Sequence, residues 1–240
     1  MVSAIILAGG TGQRMGIKGL PKQFLKLYGK PIICYTLEVF QSCPEVDQII
    51  IPCNKDWVAH MEKLVRDFGL TKVTKVIDGG DTRQSSMMNG LAAIENPGEE
   101  DLVLIHDGVR PLVKEEILLE NIATARSKGN AMTVKPNIET VVVTGSDSAL
   151  DSDFKPREIT FTLTAPQTFH TRELIEIYRS VADDPELAAL PDASLLYAKL
   201  GKQVYLVKDP NLNLKITTPE DYYYLKSYIE LNESKQILGI

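Results

Sequence analysis

The sequence is poor in residues that define several protein classes. Its 240 residues include three cysteines, Cys34, Cys43 and Cys53, and no C-x-x-C spacing. An odd cysteine count without that spacing favours reduced thiols over a disulfide framework or a zinc site. The three histidines are scattered and also lack the spacing of zinc ligands. We therefore expect a cytoplasmic protein whose cysteines are structural.

Long apolar runs and an excess of positive charge are also missing. No apolar stretch is long enough to span a membrane, and the opening "MVSAIILAGG" lacks the basic leader of a signal peptide. The formal net charge is −6, so we do not expect a broad basic face for nucleic acid. Any anion site must then be a local cluster of Lys and Arg, and we expect neither a membrane nor a nucleic-acid partner.

Most of the chain alternates between β-branched runs and helical periodicity. Such alternation builds a mostly parallel α/β sheet with helices on both faces, and residues 1–240 fit one such domain. The predicted strands are 3–8, 48–52, 73–78, 101–106 and 203–207. The predicted helices are 32–40, 57–67, 83–94, 115–127, one near 172–181 and a last one from Pro219.

The alternation breaks after about residue 134. The segment "ETVVVTGSDSALDSDFKPREITFTLTA" places β-branched runs around a polar, glycine-containing turn. This pattern predicts a β-hairpin that projects from the sheet as an arm at about 136–160. A lone two-stranded hairpin is marginal in water, so we expect the arm to pack on a partner subunit.

The first predicted strand ends in "LAGGTGQRM", a glycine-rich loop. A dinucleotide fingerprint fails because Met15 stands at its third glycine, and the G-K-[ST] of a Walker A loop is absent. A third interpretation is a triphosphate loop, in which backbone N–H groups cradle the phosphates and Arg14 and Lys22 neutralise them. An ordinary turn with solvated basic residues is the alternative. Because pyrophosphate of NAD(P) needs fewer cations, the pattern favours a nucleoside triphosphate.

Two further motifs also follow predicted strands. "GGDTRQSS" comes after the third strand and "HDGVRP" after the fourth. Ligands of open α/β sheets bind at the carboxyl ends of the strands, so these motifs are expected to meet the first loop there.

Six motifs in a fixed order carry a resemblance over nearly the whole chain. They are "LAGGTGQRM", "LPKQF", "GGDTRQSS", "HDGVRP", "APQTF" with an arginine eight residues before it, and "NLKITTPEDY". Together they resemble the methylerythritol-phosphate cytidylyltransferases and the related ribitol-5-phosphate cytidylyltransferases. The resemblance implies a Rossmann-like enzyme that joins CTP to a polyol phosphate, releases pyrophosphate, requires Mg²⁺ and forms a homodimer with shared active sites.

The resemblance also implies roles for individual residues. Arg14, Lys22 and Lys215 match cations on the triphosphate, and Asp107 matches the Mg²⁺ ligand, while Arg83 is expected to order its loop. Positions that hold the nucleotide fall on Leu7, Ala8, Gly9, Gly10, Gly12, Gly80, Asp81, Ser86 and Gly108. Positions on the polyol-phosphate side fall on Arg110, Thr140, Arg157, Ala165 and Asp192, and of these Thr140 and the catalytic Arg157 reach across the dimer.

Three departures from the family pattern leave the alcohol open. Ala165 stands where a threonine is usual, Pro191 precedes Asp192 in place of a second threonine, and the lysine often found two residues after Thr140 is missing. The acceptor is then either 2-C-methyl-D-erythritol 4-phosphate, giving 4-diphosphocytidyl-2-C-methyl-D-erythritol for isoprenoid synthesis, or ribitol 5-phosphate, giving CDP-ribitol for teichoic-acid-type cell-surface polymers.

Two other classes compete with a cytidylyltransferase. A nucleotide-sugar glycosyltransferase would need an acidic pair such as D-x-D after the fourth strand, where "HDGVRP" has one aspartate. A non-catalytic nucleotide-binding protein would have no reason to combine Arg14, Lys22, Asp107 and Lys215.

Overall fold

The computed structural model describes residues 1–10, 19–190 and 192–238. The strands are β1 (Val2–Leu7), β2 (Lys26–Leu27), β3 (Lys30–Pro31), β4 (Gln48–Cys53), β5 (Val73–Asp78), β6 (Leu102–Asp107), β7 (Asn130–Pro136), β8 (Val141–Val142), β9 (Phe154–Lys155), β10 (Phe161–His170) and β11 (Leu206–Lys208). The α-helices are α1 (Ile32–Ser42), α2 (Val58–Asp67), α3 (Arg83–Ala92), α4 (Glu115–Lys128), α5 (Thr171–Ser180), α6 (Pro185–Ala188), α7 (Ala193–Lys199) and α8 (Pro219–Leu238).

Seven strands form one sheet in the order β11-β7-β10-β6-β1-β4-β5. β1 lies next to the central strand β6 and pairs with it in parallel from Val2–Leu102 to Leu7–Asp107, and β4 pairs in parallel on its other side. β10 runs antiparallel between β6 and β7. The predicted mostly parallel α/β sheet is confirmed, with one reversed strand inside it.

Helices cover both faces of the sheet because its central strands are apolar on both sides. Along β1, Ile6 faces a core with Leu37 and Phe40 of α1. Ile5 faces the opposite core with Met87 and Leu91 of α3. This alternation of side chains along one buried strand is the period-2 geometry of a sheet packed on both faces. The two cores hold the strands rigid, so the loops at their carboxyl ends have a fixed base.

The region after residue 130 differs in part from the expectation. The arm is a two-stranded ribbon as predicted, but its ladder is short and joins only β8 to β9. The second β-rich run of the expected hairpin is β10, which belongs to the main sheet, and β7 was not predicted. The last strand begins at Leu206 instead of 203. β10 pairs with two strands that lie more than 20 residues away in sequence. Local sequence patterns do not indicate which distant strands will pair.

Apolar side chains are exposed along the arm. Ile138, Leu150 and Ile159 are 77%, 75% and 70% exposed, and Val143 and Phe154 are also exposed. Among the described residues, none of the helices is long and apolar enough to cross a membrane.

Candidate active site

The carboxyl ends of β1, β5 and β6 surround a cavity of about 320 Å³. Parallel strands of this kind place their following loops at one edge, which brings together motifs that are far apart in sequence. The cavity is lined by many of the predicted site residues. These are Leu7, Ala8, Gly9, Gly10, Lys22, Gly80, Asp81, Ser86, Asp107 and Lys215. Arg14 and Gly12 lie outside the described residues.

Asp107 ends β6 and is the centre of a charge cluster. Its carboxylate accepts a hydrogen bond from Arg110 Nε at 2.9 Å, and Lys215 Nζ lies 3.1 Å away. Arg83 Nε lies 3.5 Å from the other carboxylate oxygen. Burial alone would raise the pKa of Asp107, but Lys215, Arg110 and Arg83 together hold it far below its usual range. The site therefore carries an ionised carboxylate and an excess of cations, which suits a polyanionic ligand.

His106 precedes Asp107 but faces away from the cavity. It is fully buried, its ring packs 5.1 Å from that of Phe40, and Nε2 lies 3.4 Å from the carbonyl oxygen of Arg110. Burial lowers the pKa of His106 to about 3, so the imidazole is neutral at physiological pH. Its ring supports the Asp107–Arg110 turn and does not line the cavity.

The loop after β5 is fixed by its own side chains. Thr82 caps α3 by accepting from Ser85 N at 3.0 Å, and Ser85 Oγ accepts in return from Thr82 N. The buried Ser86 hydroxyl accepts from Gly80 N at 3.0 Å and donates to the Thr82 carbonyl at 2.9 Å. Glycine is required at 80 because a Cβ there would overlap the Ser85 side chain. Backbone groups of this loop are thus held rigid at the cavity wall.

Glycine is also favoured at 108, directly after Asp107. A Cβ at this position would lie 3.1 Å from the Leu7 carbonyl oxygen and 3.1 Å from Ile33 Cδ1. The absence of a side chain lets Gly108 N donate to the Leu7 oxygen at 3.0 Å. This bond joins the end of β1 to the turn that carries Asp107 and Arg110.

Lys22 reaches the cavity from a short turn that two neighbouring side chains anchor. Gln23, which is buried, donates from Nε2 to the Ala8 carbonyl at 2.7 Å. Phe24 stacks on Trp57 with ring centroids 5.1 Å apart and meets the edge of His60. Gln23 was not singled out from the sequence, although its place beside Lys22 was the available signal.

Lys215 comes from an irregular segment between β11 and α8. Directly after it, the buried Ile216 packs in a small core with Val109 and donates from its backbone N–H to the Val109 carbonyl at 2.9 Å. Further on, the Asp221 carboxylate accepts from Thr217 N and Thr218 N, each at 2.8 Å, and caps the start of α8. Tertiary contacts therefore bring the C-terminal cation to Asp107.

The predicted polyol-side residues are not all near this cavity. Arg110 lies beside Asp107, but Thr140 and Arg157 are exposed on the arm, and Arg157 pairs with its neighbour Glu158 at 3.2 Å. Ala165 is a buried residue of β10 itself. Asp192 caps α7 by accepting from Leu195 N at 3.1 Å. Pro191 lies outside the described residues.

The donor set limits how a metal could be held. Among the described residues, no three His, Cys, Asp or Glu side chains cluster in a way that could bind an ion. Asp107 offers one buried carboxylate at the cavity wall, and both of its oxygens already face cations. These residues fit a divalent ion only where phosphate oxygens of a ligand complete its coordination, which is the usual way Mg²⁺ binds at nucleotide sites.

The strand-end cavity, its glycine loops and its excess of cations define a nucleotidyltransferase. The chain belongs to the IspD family, 2-C-methyl-D-erythritol 4-phosphate cytidylyltransferase, whose model matches residues 2–230. It is a cytidylyltransferase, which sets aside the glycosyltransferase and the non-catalytic binding protein. The predicted family is confirmed.

Relatives within the family carry two names. Ribitol-5-phosphate cytidylyltransferases of Streptococcus agalactiae serotype III (strain NEM316) and Vibrio parahaemolyticus serotype O3:K6 (strain RIMD 2210633) are each 40% identical over 237 residues. These alignments cover 98% of this chain and 98% and 99% of the relatives. The 2-C-methyl-D-erythritol 4-phosphate cytidylyltransferase of Geobacter metallireducens is 39% identical over 231 residues, 95% of this chain and 97% of its own.

Solved structures agree on the fold. The 4-diphosphocytidyl-2C-methyl-D-erythritol synthase of Anaerococcus prevotii superposes with a TM-score of 0.83 at 27% identity, covering 95% of this chain and 96% of its own. The 2-C-methyl-D-erythritol 4-phosphate cytidylyltransferase of Thermus thermophilus gives 0.72 at 26% identity, covering 95% and 98%.

Proposed function

We propose that this cytidylyltransferase transfers CMP from CTP to ribitol 5-phosphate and forms CDP-ribitol and pyrophosphate. The observation that carries the choice of acceptor is the 40% identity, over 98% of the chain, to relatives named for ribitol 5-phosphate. The arm supports it, because Val142, an uncharged and exposed residue, stands where methylerythritol enzymes often carry a lysine. Methylerythritol 4-phosphate is the competing acceptor, favoured by the 39% identity to the Geobacter enzyme.

The reaction needs positioned charge more than a proton acceptor. An oxygen of the acceptor's phosphate attacks the α-phosphorus of CTP, the bond to the bridging oxygen breaks, and its electron pair leaves with pyrophosphate. The attacking phosphate is already ionised, so no general base is required. Lys22 and Lys215, which both line the cavity, stabilise the charge that accumulates on the α-phosphate and the leaving group.

Asp107 is the residue we assign to Mg²⁺. When bound, the ion neutralises phosphate charge and supports the leaving group. A triphosphate in the cavity would compete for Arg83 and Lys215, which are only partly buried, and would leave the Asp107 carboxylate available to hold the ion. Metal binding at Asp107 is therefore expected to depend on the nucleotide, and calorimetry with Mg²⁺ alone should show no tight site.

The arm is assigned to a homodimer with shared active sites. Thr140 and Arg157 do not line the cavity of their own chain, and the same arm exposes Ile138, Leu150 and Ile159. Apolar side chains on a two-stranded ribbon need a partner to cover them, and an arginine fork suits the phosphate of a neighbour's substrate. A second copy of the chain supplies both the surface that covers these side chains and the substrate phosphate that suits Arg157.

Mixing two inactive variants tests this arrangement. Lys22→Ala subunits retain Arg157, and Arg157→Ala subunits retain Lys22, so a mixed dimer has one complete site. After subunit exchange, an equal mixture should recover about a quarter of wild-type activity by random pairing of a two-fold dimer. Light scattering should report a dimer, and a monomer with full activity would contradict the shared site.

We also propose a cytoplasmic location. The three cysteines of the chain are free and buried, which suits a compartment that keeps thiols reduced.

The acceptor is tested by pyrophosphate release with CTP and Mg²⁺, using ribitol 5-phosphate and methylerythritol 4-phosphate side by side. We expect higher kcat/KM with ribitol 5-phosphate. Val142→Lys should shift the ratio towards methylerythritol 4-phosphate, and Val143→Lys, on the neighbouring exposed position, is the matched control. Preference for methylerythritol 4-phosphate would overturn the acceptor and leave the cytidylyltransferase standing.

A further inference from the structure

A buried asparagine lies two residues before the C-terminal cation of the site. Asn213 donates from Nδ2 to the Ala165 carbonyl of β10 at 2.6 Å, across 48 residues of sequence. Its side chain is almost completely buried, and its Oδ1 accepts no hydrogen bond from the described part of the chain. The amide is thus oriented by one contact, because an oxygen in place of Nδ2 would face the carbonyl oxygen of Ala165.

The backbone of the same residue contacts the charge cluster. The Asn213 carbonyl accepts from Arg110 Nη1 at 2.9 Å, while Arg110 Nε donates to Asp107. Arg110 is therefore held between a backbone oxygen and a carboxylate, with its direction fixed at two points. A shift of residue 213 would move the guanidinium, and with it the carboxylate that Lys215 also contacts.

The position of Lys215 depends on Asn213 because no helix or strand holds Lys215 in place. Residues 209–217 form neither helix nor strand. On the C-terminal side of Lys215, the Ile216 N–H donates to the Val109 carbonyl. On the N-terminal side, Leu214 packs against the same small core, and the next long-range hydrogen bond is that of the Asn213 side chain. The segment that carries Lys215 is thus held by a backbone hydrogen bond on its C-terminal side and by the Asn213 side chain on its N-terminal side.

We infer that Asn213 is a positioning residue for this reaction: its amide clamps the Lys215 segment to β10 and so fixes Lys215 and Arg110 on Asp107. It touches neither substrate nor reacting atoms in this role. A misplacement of about 1 Å in a charged catalytic group can cost as much as 10²-fold in rate. A clamp so near to Lys215 in the chain therefore has a measurable effect on turnover.

The test is a double-mutant cycle measured by pyrophosphate release, with whichever alcohol phosphate gives turnover in wild type. Asn213→Ala should lower kcat by about 10- to 100-fold and change KM for CTP by less than about threefold. In the Lys215→Ala background the same change should cost clearly less than in wild type, because Lys215, one of the two groups that Asn213 positions, is gone and only Arg110 remains. Asn213→Asp keeps the shape of the side chain and removes its hydrogen-bond donor. It should show the same loss of kcat, and it takes the place of Asn213→Ala in the cycle if the alanine variant does not fold.

Asn211→Ala is the matched control. Asn211 belongs to the same segment, but its Nδ2 contacts Glu116 at 3.2 Å on the outside of the molecule. Its turnover should stay within about twofold of wild type. Equal losses for Asn213→Ala with and without Lys215, or unchanged kcat in a folded Asn213→Asp enzyme, would overturn the proposal. If the wild-type enzyme is inactive with every alcohol phosphate, that result contradicts the proposed acceptor instead, and it is seen before any variant is measured.

Discussion

Replacing Asp107 by asparagine removes the negative charge from the centre of the cation cluster and keeps the side-chain shape. Three cationic atoms lie 2.9, 3.1 and 3.5 Å from its oxygens. At an effective dielectric constant near 20, each such pair corresponds to about 5 kcal/mol of Coulomb attraction, most of which offsets desolvation. The variant should therefore be destabilised by its uncompensated cations when no ligand is present.

The size of the effect follows from burial. Removing one partner of a buried ion pair costs about 3–5 kcal/mol. Arg83 and Lys215 are 31% and 35% exposed, so water screens them, and asparagine still offers Arg110 an oxygen. We expect the free energy of unfolding to fall by about 3 kcal/mol, the lower end of this range. This loss lowers Tm by roughly 6–12 °C in a protein of this length.

Thermal unfolding with and without pyrophosphate provides the assay. In metal-free buffer, pyrophosphate should raise the Tm of Asp107→Asn more than that of wild type, because the anion replaces the missing charge. Asp81→Asn is the control, since Asp81 is exposed on the rim of the same cavity, and its Tm should stay within about 1 °C of wild type. If Asp107→Asn melts like wild type and both respond equally to pyrophosphate, the carboxylate does not balance these cations and the reasoning fails.

The remaining predictions concern the first cation, the thiols and the C-terminal cap. Lys22→Ala should lower kcat by about 10²-fold or more, against little change for the exposed Lys26→Ala, in the pyrophosphate assay. Burial raises the pKa of Cys34 to about 12 and of Cys53 to about 11, so iodoacetamide at pH 8 should label neither thiol by mass spectrometry until denaturant is added. Burial opposes ionisation of Asp221, but hydrogen bonds from Thr217 and Thr218 lower its pKa. Its stabilisation is thus present above the ordinary carboxyl pKa near 4 and lost as the pH falls below it, so the Tm difference between wild type and Asp221→Asn should shrink below about pH 4.

Features set by local patterns could be predicted from the sequence. β1, β4, β5 and β6 begin and end within one or two residues of their predicted bounds. Because their carboxyl ends share one edge, eight of the ten predicted residues around the cavity meet there, while Lys22 and Lys215 come from other segments. The glycine at 80 belongs to this class, since the nearby Ser85 leaves no room for a side chain there.

Features set by contacts between residues far apart in the chain could not be predicted from the sequence. β10 enters the sheet in reverse between β6 and β7, and its residues resemble those of the hairpin that was expected. Arg83 was expected only to order its loop, yet it lies 3.5 Å from Asp107. Gln23 and Asn213 bind carbonyl groups 15 and 48 residues away, and no local period marks an asparagine or glutamine as an anchor.

The stacking of Phe24 on Trp57 gives the enzyme an optical signal of its own. The chain has one tryptophan, and its ring lies against a residue two positions from Lys22. All indole emission therefore originates beside the turn that carries Lys22, and no other tryptophan dilutes it. We expect a nucleotide that contacts Lys22 to change the environment of this ring pair, so stopped-flow fluorescence should follow CTP arrival and pyrophosphate departure without a label. The order of substrate binding thus becomes measurable on the unmodified protein.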